Sequence, residues 1–336
     1  MIDVRVSVII KVLNEQRNIA RAIGSALGAV AEAGGGEVIV ADSLSTDDTI
    51  RIASGFPVRV VQLTHAEDRC CGVGAQLGFG IAKGQYLYIL DGDMEFEPGF
   101  VAEAAGALDA DPTLAGVGGL VREMNQENDE FVRRANRKVG HMGPGEVDRL
   151  DMGGLYRRTA LEQVGYFTNQ NLHAYEEFEL AARLVTAGWR LRRLDRGGVR
   201  HYGHTDSSFA LLRRRWRSRY AWGCGELIRQ AWRTPQFTFI LLRLPVYRIY
   251  GAMLVWAVLS LGVAAAAVVW QSVPLTVAFA LLVVAPFAVM SWRRGSIRGG
   301  VYAVTSWLVF TAGMVAGALV TPRKKPRDPV RCEVLQ

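Results

Sequence analysis

Two carboxylates separated by one glycine, Asp91 and Asp93, directly follow the apolar segment 85–90. At this spacing both side chains can approach one divalent cation, and hard cations such as Mg²⁺ and Mn²⁺ prefer oxygen ligands and bridge readily to phosphates. An isolated Asp-Gly-Asp more often closes a turn after a strand. Behind an apolar strand in a regularly alternating chain, the motif favours a metal site whose natural partner is a diphosphate.

Two further acidic side chains, Glu15 and Asp42, stand just after apolar segments in the same way. In an open parallel sheet the carboxyl ends of the strands lie along one edge, and ligands bind there. We therefore expect all four carboxylates along that edge, although they are far apart in sequence. Aspartate is a common turn residue, but acids at successive strand ends exceed what turn chemistry predicts.

The segments that must position these acids alternate between strand-like and helix-like patterns. Short apolar, β-branched runs predict strands, and apolar residues at helical spacing predict helices. The predicted strands cover 4–10, 37–41, 58–63 and 85–90, and the predicted helices cover 18–29, 45–54 and 74–83, with another opening at Pro98. This alternation predicts an α/β fold with a mostly parallel sheet and helices on both faces.

Five segments resemble motifs of glycosyltransferase family 2, which are inverting enzymes with the GT-A nucleotide-diphospho-sugar transferase fold. They read SVIIKVLNE, VIVADSLSTDDT, ILDGDMEFEPGF, GGLYRRTALEQVGYF and EEFELAARLVTAGWRL. All of them lie within residues 4–195 and occur in the order of the family. Each motif alone is weak evidence, whereas the ordered set is strong.

The resemblance implies a donor site for a nucleoside-diphosphate sugar. Asp42 would contact the nucleotide base, Glu15 would line the same pocket, and Asp91 would face the ribose or the diphosphate. The family often has Ala-Arg-Asn-x-Gly where this chain reads Gly-Ala-Gln-Leu-Gly at 74–78. Arg69 is therefore expected to supply the missing positive charge.

The resemblance also implies a divalent metal ion, Mg²⁺ or Mn²⁺, which Asp93 would ligate with Asp91 beside it. His201 follows a strand-like stretch, where family members often have a further metal or diphosphate contact. His204 is the competing candidate. An ordinary surface imidazole is an equally good interpretation of either histidine.

The pair Glu176-Glu177 stands where the family usually has Glu-Asp. Glu177 would be the general base, since a carboxylate beside the metal-bound donor can take a proton during direct displacement. Because Glu is one methylene longer than Asp, Glu176 is the alternative base. An acidic helix N-terminus is electrostatically favourable in either case. Gly153 and Gly154 open the segment that resembles the acceptor side.

Arg215-Trp216 matches the last two residues of the Gln-x-x-Arg-Trp motif of processive synthases, but Leu212 occupies the glutamine position. A single transfer is therefore expected rather than processive polymerisation. An acceptor-side role for Arg215 and Trp216 competes with a basic helix that faces solvent or lipid, and the second interpretation is favoured.

Three stretches near the C-terminus, 249–269, 273–291 and 300–320, contain no Asp, Glu, Lys or Arg. Each is close to the ~20 residues that a bilayer-spanning helix needs. Three in succession, with arginines only between them, favour membrane helices over buried core helices. The predicted divisions are a cytosolic GT-A domain (1–233), an interfacial linker helix (234–248), a membrane region of about three apolar helices (249–321) and a basic tail (322–336).

The formal net charge of +7 comes mainly from arginines clustered beside or between these apolar stretches. This placement favours contact with anionic lipid headgroups over nucleic-acid binding. The loop 292–298 and the tail from 323 are both basic, so both are predicted to be cytoplasmic, yet a third spanning helix would separate them. Either the last helix is re-entrant or interfacial, or charge is a poor guide here.

These observations predict a multi-pass protein of the cytoplasmic membrane with its catalytic domain in the cytosol. The expected reaction moves a sugar, with inversion, onto a lipid-linked saccharide in surface polysaccharide or glycolipid synthesis. Two alternatives stay open: a polyprenyl monophosphate acceptor, and a non-catalytic membrane scaffold with a degenerate transferase domain. A sugar nucleotidyltransferase is disfavoured because the loop 11–18 has no glycine.

Overall fold

The computed structural model describes residues 4–125, 140–203 and 206–336. The chain divides into two compact units, the first running up to Asp206 and including Thr321–Gln336, the second comprising Ser207–Val320. Residues 207–233 thus group with the apolar helices, whereas they were predicted to belong to the GT-A domain. The basic tail groups with the first unit.

The first unit is built around one mixed sheet. Its described strands are β1 (Val6–Val12), β2 (Gly36–Asp42), β3 (Arg59–Leu63), β4 (Tyr86–Asp91), β5 (Met94–Phe96), β6 (Leu114–Glu123), β7 (Gly145–Val147), β8 (Gly154–Arg157), β9 (Arg190–His201) and β10 (Cys332–Val334). Their order across the sheet is β10-β3-β2-β1-β4-β8-β6-β9-β5, and β7 pairs with β9.

The strands β1 to β4 are parallel, as the alternating sequence predicted. The register pairs Lys11 with Asp91 and Val12 with Asp42, so the ends of these strands lie side by side. Runs of Val, Ile and Leu form them because a parallel sheet is covered on both faces. The remainder of the sheet is mixed, since β8 lies antiparallel between β4 and β6.

Helices cover both faces of this sheet, which confirms the predicted layers. They are α1 (Ile19–Glu32), α2 (Thr49–Ala53), α3 (Cys71–Phe79), α4 (Phe100–Ala110), α5 (Arg158–Val164) and α6 (Glu176–Thr186). Ile23 of α1 and Leu108 of α4 belong to the apolar core on one face. Val73 of α3 and Leu180 of α6 belong to the core on the other.

The tail closes the outer edge of the sheet, because β10 pairs antiparallel with β3. The nearly buried carboxylate of Asp68 accepts hydrogen bonds from Lys324 Nζ at 2.7 Å and from Arg331 Nε at 2.9 Å. Burial alone would raise the pKa of Asp68, but the hydrogen bonds and charges of these two cations outweigh it and lower the pKa. The tail is therefore part of the first unit in both backbone and charge.

The second unit is helical. It comprises α7 (Ser208–Arg217), a 3-10 turn (Tyr220–Trp222), α8 (Gly223–Ala231), α9 (Phe237–Arg243), α10 (Val246–Val269), α11 (Val273–Arg293) and α12 (Ile297–Leu319). Among the described residues, α10, α11 and α12 are the helices long and apolar enough to cross a membrane.

Close backbone packing explains why 207–233 belong to the second unit. A Cβ on Gly225 of α8 would collide with the carbonyl of Met314 in α12, and a Cβ on Gly317 would collide with the carbonyl of Trp222. Only glycine permits such an approach. The α8 helix and the turn before it are therefore seated on α12.

Glycine packing between α3 and β1 gives a stability prediction. A Cβ on Gly78 would lie 3.0 Å from Ile9 Cγ1, so Gly78→Ala should destabilise the protein by about 1–3 kcal/mol. Gly28, on the exposed side of α1, would bring a Cβ within 4 Å of no described atom. Gly28→Ala should therefore stabilise by about 0.5–1 kcal/mol through helix propensity. Melting of the detergent-purified chain measures both, and unchanged stability of Gly78→Ala would contradict the packing.

Candidate functional site

The loops after β1 and β2 bind each other at the carboxyl edge of the sheet. Asn14 N donates to Ser45 Oγ at 2.8 Å, and Thr46 N donates to Asn14 Oδ1 at 2.7 Å. Glu15 N donates to Thr49 Oγ1 at 2.8 Å. Short polar side chains commonly accept such backbone hydrogen bonds. The two loops thus form one wall, although more than 30 residues separate them.

Two predicted donor residues, Asp42 and Arg69, shape this wall. The buried Asp42 carboxylate accepts hydrogen bonds from Ser45 N at 2.9 Å and from Gln62 Nε2 at 2.8 Å. The Arg69 guanidinium donates to the backbone carbonyls of residues 43 and 44. Both side chains hold the loop that follows β2. Direct contact of either with a nucleotide stays a prediction.

Glu15 lies against the Asp-Gly-Asp turn, where the common strand edge predicted it. A Cβ on Gly92 would be 2.8 Å from Glu15 Cγ, so only glycine permits this approach. Gly92 N donates to Lys11 O at 3.0 Å. Glu15 Oε2 accepts a hydrogen bond from Asn18 Nδ2 at 3.0 Å.

Asp93 and His201 are paired in the buried part of the site. Asp93 Oδ2 lies 3.4 Å from His201 Nε2, and both side chains are 9% exposed. His201 Nδ1 lies 2.6 Å from Glu123 Oε2. Burial lowers the pKa of His201, but the hydrogen bonds to Asp93 and Glu123 outweigh it and raise the pKa to about 9. A carboxylate behind an imidazole is the usual support of a metal-binding histidine.

The donor atoms of Asp93 and His201 suit one divalent cation. Among the described residues, no three His, Cys, Asp or Glu side chains are arranged to hold a metal ion. Asp93 and His201 would supply two ligands. Glu123, which was not among the predicted site residues, would orient the imidazole. Asp91 is instead paired with a cation, and its contact with metal stays a prediction. His204 lies outside the described residues.

Lys11 joins the Asp-Gly-Asp motif to the first turn of α6. Its Nζ lies 3.0 Å from Asp91 Oδ1 and 3.1 Å from Glu176 Oε1. Burial lowers the pKa of Lys11, but the carboxylates of Asp91, Glu176 and Glu177 outweigh it and hold the pKa well above its ordinary value. Lys11 is therefore a permanent cation among these acids. A lysine inside an apolar strand was the available signal, but the sequence motifs predicted no role for it.

Glu177 faces the segment that resembles the acceptor side. Its carboxylate accepts hydrogen bonds from Met152 N at 3.3 Å and from Gly153 N at 3.2 Å. Burial raises the pKa of Glu177 to about 8, with Lys11 opposing the shift and Glu176 adding to it. A carboxyl group that titrates near the working pH is well suited to proton transfer.

The glycines predicted on the acceptor side lie where the chain passes tightly over β4. Gly153 has φ +97°, and a Cβ there would be 2.9 Å from the Tyr88 hydroxyl and 3.0 Å from Ile89 O. Gly154 pairs with Ile89 in the sheet, and its Cβ would be 2.7 Å from Leu150 Cδ1. Both positions require glycine.

Arg215 and Trp216 lie in α7 and therefore in the second unit. The Arg215 guanidinium is 5.2 Å from the centroid of the Tyr220 ring. The Trp216 ring, 41% exposed, lies 6.2 Å from that of Trp222. This is a basic helix with exposed aromatic surface, and its role toward an acceptor stays a prediction.

The mixed sheet with helices on both faces has the fold of GT-A glycosyltransferases. The solved mannosyltransferase PcManGT from Pyrobaculum calidifontis, in complex with GDP-Man and Mn2+, shares the fold with a TM-score of 0.61 and 22% identity, over 94% of this chain and 86% of that chain. Residues 7–165 match Glycosyl transferase family 2, and residues 152–292 match Glycosyl transferase family group 2. The chain belongs to glycosyltransferase family 2.

Two curated relatives match about half of this chain. The O-antigen chain rhamnosyltransferase WbaN of Salmonella anatum is 25% identical over 178 residues, covering 49% of this chain and 56% of that protein. The succinoglycan biosynthesis protein ExoU of Rhizobium meliloti (strain 1021) is 28% identical over 205 residues, covering 56% and 58%. This chain therefore spans little more than half of either relative.

Gly153 gives a prediction about the site. Gly153→Ala should lower the release of nucleoside diphosphate from a sugar nucleotide about tenfold or more, because a displaced segment moves its amides away from Glu177. The control is Gly145→Ala, which shares the positive φ (+109°) but has no described atom within 4 Å of its Cβ. Release by the purified chain measures both. Equal losses would mean that backbone strain, rather than the position of the segment, determines the rate.

Proposed function

We propose that this chain transfers a sugar, with inversion, from a nucleoside-diphosphate sugar to a lipid-linked saccharide in surface polysaccharide or glycolipid synthesis. One observation carries the proposal: Lys11 Nζ lies 3.0 Å from Asp91, at the donor edge, and 3.1 Å from Glu176, beside the candidate base Glu177. Donor-side acids and the base therefore belong to one connected site. Direct displacement needs both groups in one place.

Asp93 and His201 would hold a divalent cation, Mg²⁺ or Mn²⁺, with Glu123 orienting the imidazole. A bound cation neutralises the charge that develops on the leaving nucleoside diphosphate. The 3.4 Å separation between Asp93 Oδ2 and His201 Nε2 supports this assignment. The Mn2+ present in the PcManGT complex is independent support for it.

Glu177 would take the proton from the acceptor hydroxyl. Its carboxylate is fixed by the amides of Met152 and Gly153, which begin the acceptor-side segment. Glu176 is paired with Lys11, and this makes it a positioning residue. The hydroxyl oxygen attacks the anomeric carbon as the bond to the diphosphate breaks, and the opposite faces of attack and departure invert that carbon.

The apolar helices and the neighbouring arginines support a location at the cytoplasmic membrane with the first unit in the cytosol. The names of the two relatives, which refer to O-antigen and succinoglycan, support an acceptor in surface polysaccharide assembly. A polyprenyl monophosphate is the second candidate acceptor. Its phosphate is already ionised, so that transfer would need little base catalysis.

The raised pKa of Glu177 predicts how the rate depends on pH. Only the ionised carboxylate accepts a proton, and its pKa is about 8. Below that pH, kcat/KM for the acceptor should fall about tenfold per unit, and it should level off above it. Glu177→Gln should lower kcat by about 10²–10⁴-fold and abolish this fall of the rate at low pH. A rate indifferent to this substitution would point to the phosphate acceptor.

A matched pair at Lys11 controls this titration. Lys11 lowers the pKa of Glu177, so Lys11→Met should move the fall of the rate to higher pH. Lys11→Arg keeps the charge and should move it less. If the pH at which the rate falls is the same in Lys11→Met as in the wild type, Lys11 does not set the pKa of the base.

Asp93 gives the prediction for metal dependence. Nucleoside diphosphate release, measured with Mg²⁺ or Mn²⁺ across a panel of sugar nucleotides and lipid extract, should disappear in Asp93→Asn. The control is Asp195→Asn, at an exposed acid in β9, which should retain release. If the folded wild type releases nothing from any donor with lipid supplied, the non-catalytic scaffold becomes the better interpretation.

A further inference from the structure

The tail must lie on the same side of the membrane as the first unit, because it belongs to the sheet of that unit. β10 pairs with β3, and Asp68 binds Lys324 and Arg331 at 2.7 and 2.9 Å. A folded sheet cannot include a strand from the opposite side of a bilayer. The chain therefore leaves the first unit after Asp206 and returns at Thr321 on one side, and the number of crossings between them is even.

All residues in 207–320 are described, and three helices there are long and apolar enough to cross. An even number requires that at least one of the three does not cross. The mean hydropathy of the apolar window is 2.4 in α10, 2.4 in α11 and 1.5 in α12. The share of that window buried within the protein is 11%, 0% and 33%. By both measures α12 is the least suited to face lipid.

Both ends of α12 contact helices that carry arginine. Near its start, the Tyr302 ring lies 5.3 Å from that of Phe209 in α7. Near its end, Ala318 O accepts a hydrogen bond from Arg229 of α8 at 2.8 Å. A spanning helix has its ends on opposite surfaces ~30 Å apart, which would draw this basic segment into the hydrocarbon. The arginines concerned are Arg213, Arg214, Arg215, Arg217, Arg219 and Arg229.

α12 also meets α10 and α11 at one end of their hairpin. The two helices are consecutive, and an indole-to-carbonyl hydrogen bond of 3.1 Å joins them midway. A Cβ on Gly300 would collide with Ser291, near the end of α11. Thr311 Oγ1 donates to Tyr250 O, near the start of α10, at 3.3 Å. Between these contacts α12 advances ~16 Å along its axis, so it runs across the hairpin rather than along it.

We propose that α10 and α11 form a membrane-spanning hairpin and that α12 lies along the lipid headgroup surface, beside α7 and α8, on the side of the first unit. The arginines at the junction of α11 and α12, Arg293, Arg294 and Arg298, then share one side with the tail, as basic segments near membrane helices do. This removes the conflict between the two basic segments in the sequence. The proposal rests on the proposed membrane location and is independent of the reaction.

A membrane-impermeant maleimide applied to sealed vesicles of each orientation tests the arrangement, with labelled sites read by mass spectrometry. Cys332 is native and exposed. Asp195→Cys marks the first unit, Gln271→Cys the turn between α10 and α11, and Ile297→Cys the start of α12. Cys332, Asp195→Cys and Ile297→Cys should react in one vesicle orientation, and Gln271→Cys only in the other.

Each other pattern overturns the proposal. Cys332 opposite Asp195→Cys would mean an odd number of crossings, and Ile297→Cys opposite both Asp195→Cys and Cys332 would mean that α12 crosses the membrane. All four sites on one side would mean no crossing. The wild-type chain, with trypsin cleavage marking the first unit, locates Cys332 even if a variant misfolds. Complete extraction by alkaline carbonate would remove the membrane location itself, whereas failure of sugar transfer would leave the labelling pattern unchanged.

Discussion

The Lys11 ammonium lies 3.0 Å from Asp91 and 3.1 Å from Glu176, and the candidate site depends on this pair of contacts. The two acids come from the end of β4 and the start of α6, which are distant in sequence. Without a cation between them, these carboxylates and that of Glu177 would repel one another, and the cost would be greatest for the two glutamates, which are largely buried. The lysine thus holds α6 against the parallel strands. Glu177 in turn fixes the backbone that crosses β4.

The Asp-Gly-Asp turn also marks the place where the parallel and mixed halves of the sheet meet. It leads from β4 into β5, whose first residue, Met94, pairs with His201 of β9. The two aspartates consequently have different partners: Asp91 contacts Lys11 in the parallel half, and Asp93 contacts His201 in the mixed half. Within one short motif, Asp91 therefore balances the charge of Lys11, and Asp93 occupies the candidate metal position.

The parallel strands and the acids at their ends were predictable, because buried strands are continuous apolar runs and the carboxyl ends of parallel strands share an edge. Glu123 was not predictable, since its contact with His201 follows from the register of β6 and β9, whose apolar residues are interrupted by glycines in β6 and by arginines in β9. The role of Lys11 likewise needed the register that sets it beside Asp91. β10 is too short to show any periodic pattern.

The tail strand makes the order of synthesis part of the fold. β3 is translated early and presents an open edge, and open edges recruit foreign strands. Its partner β10 leaves the ribosome only after α10, α11 and α12 have been made. The last strand of the sheet can therefore pair only after the apolar helices have been synthesised. If the apolar helices misfold, β10 cannot pair and the edge of β3 stays open, which exposes the chain to aggregation or to degradation by proteases.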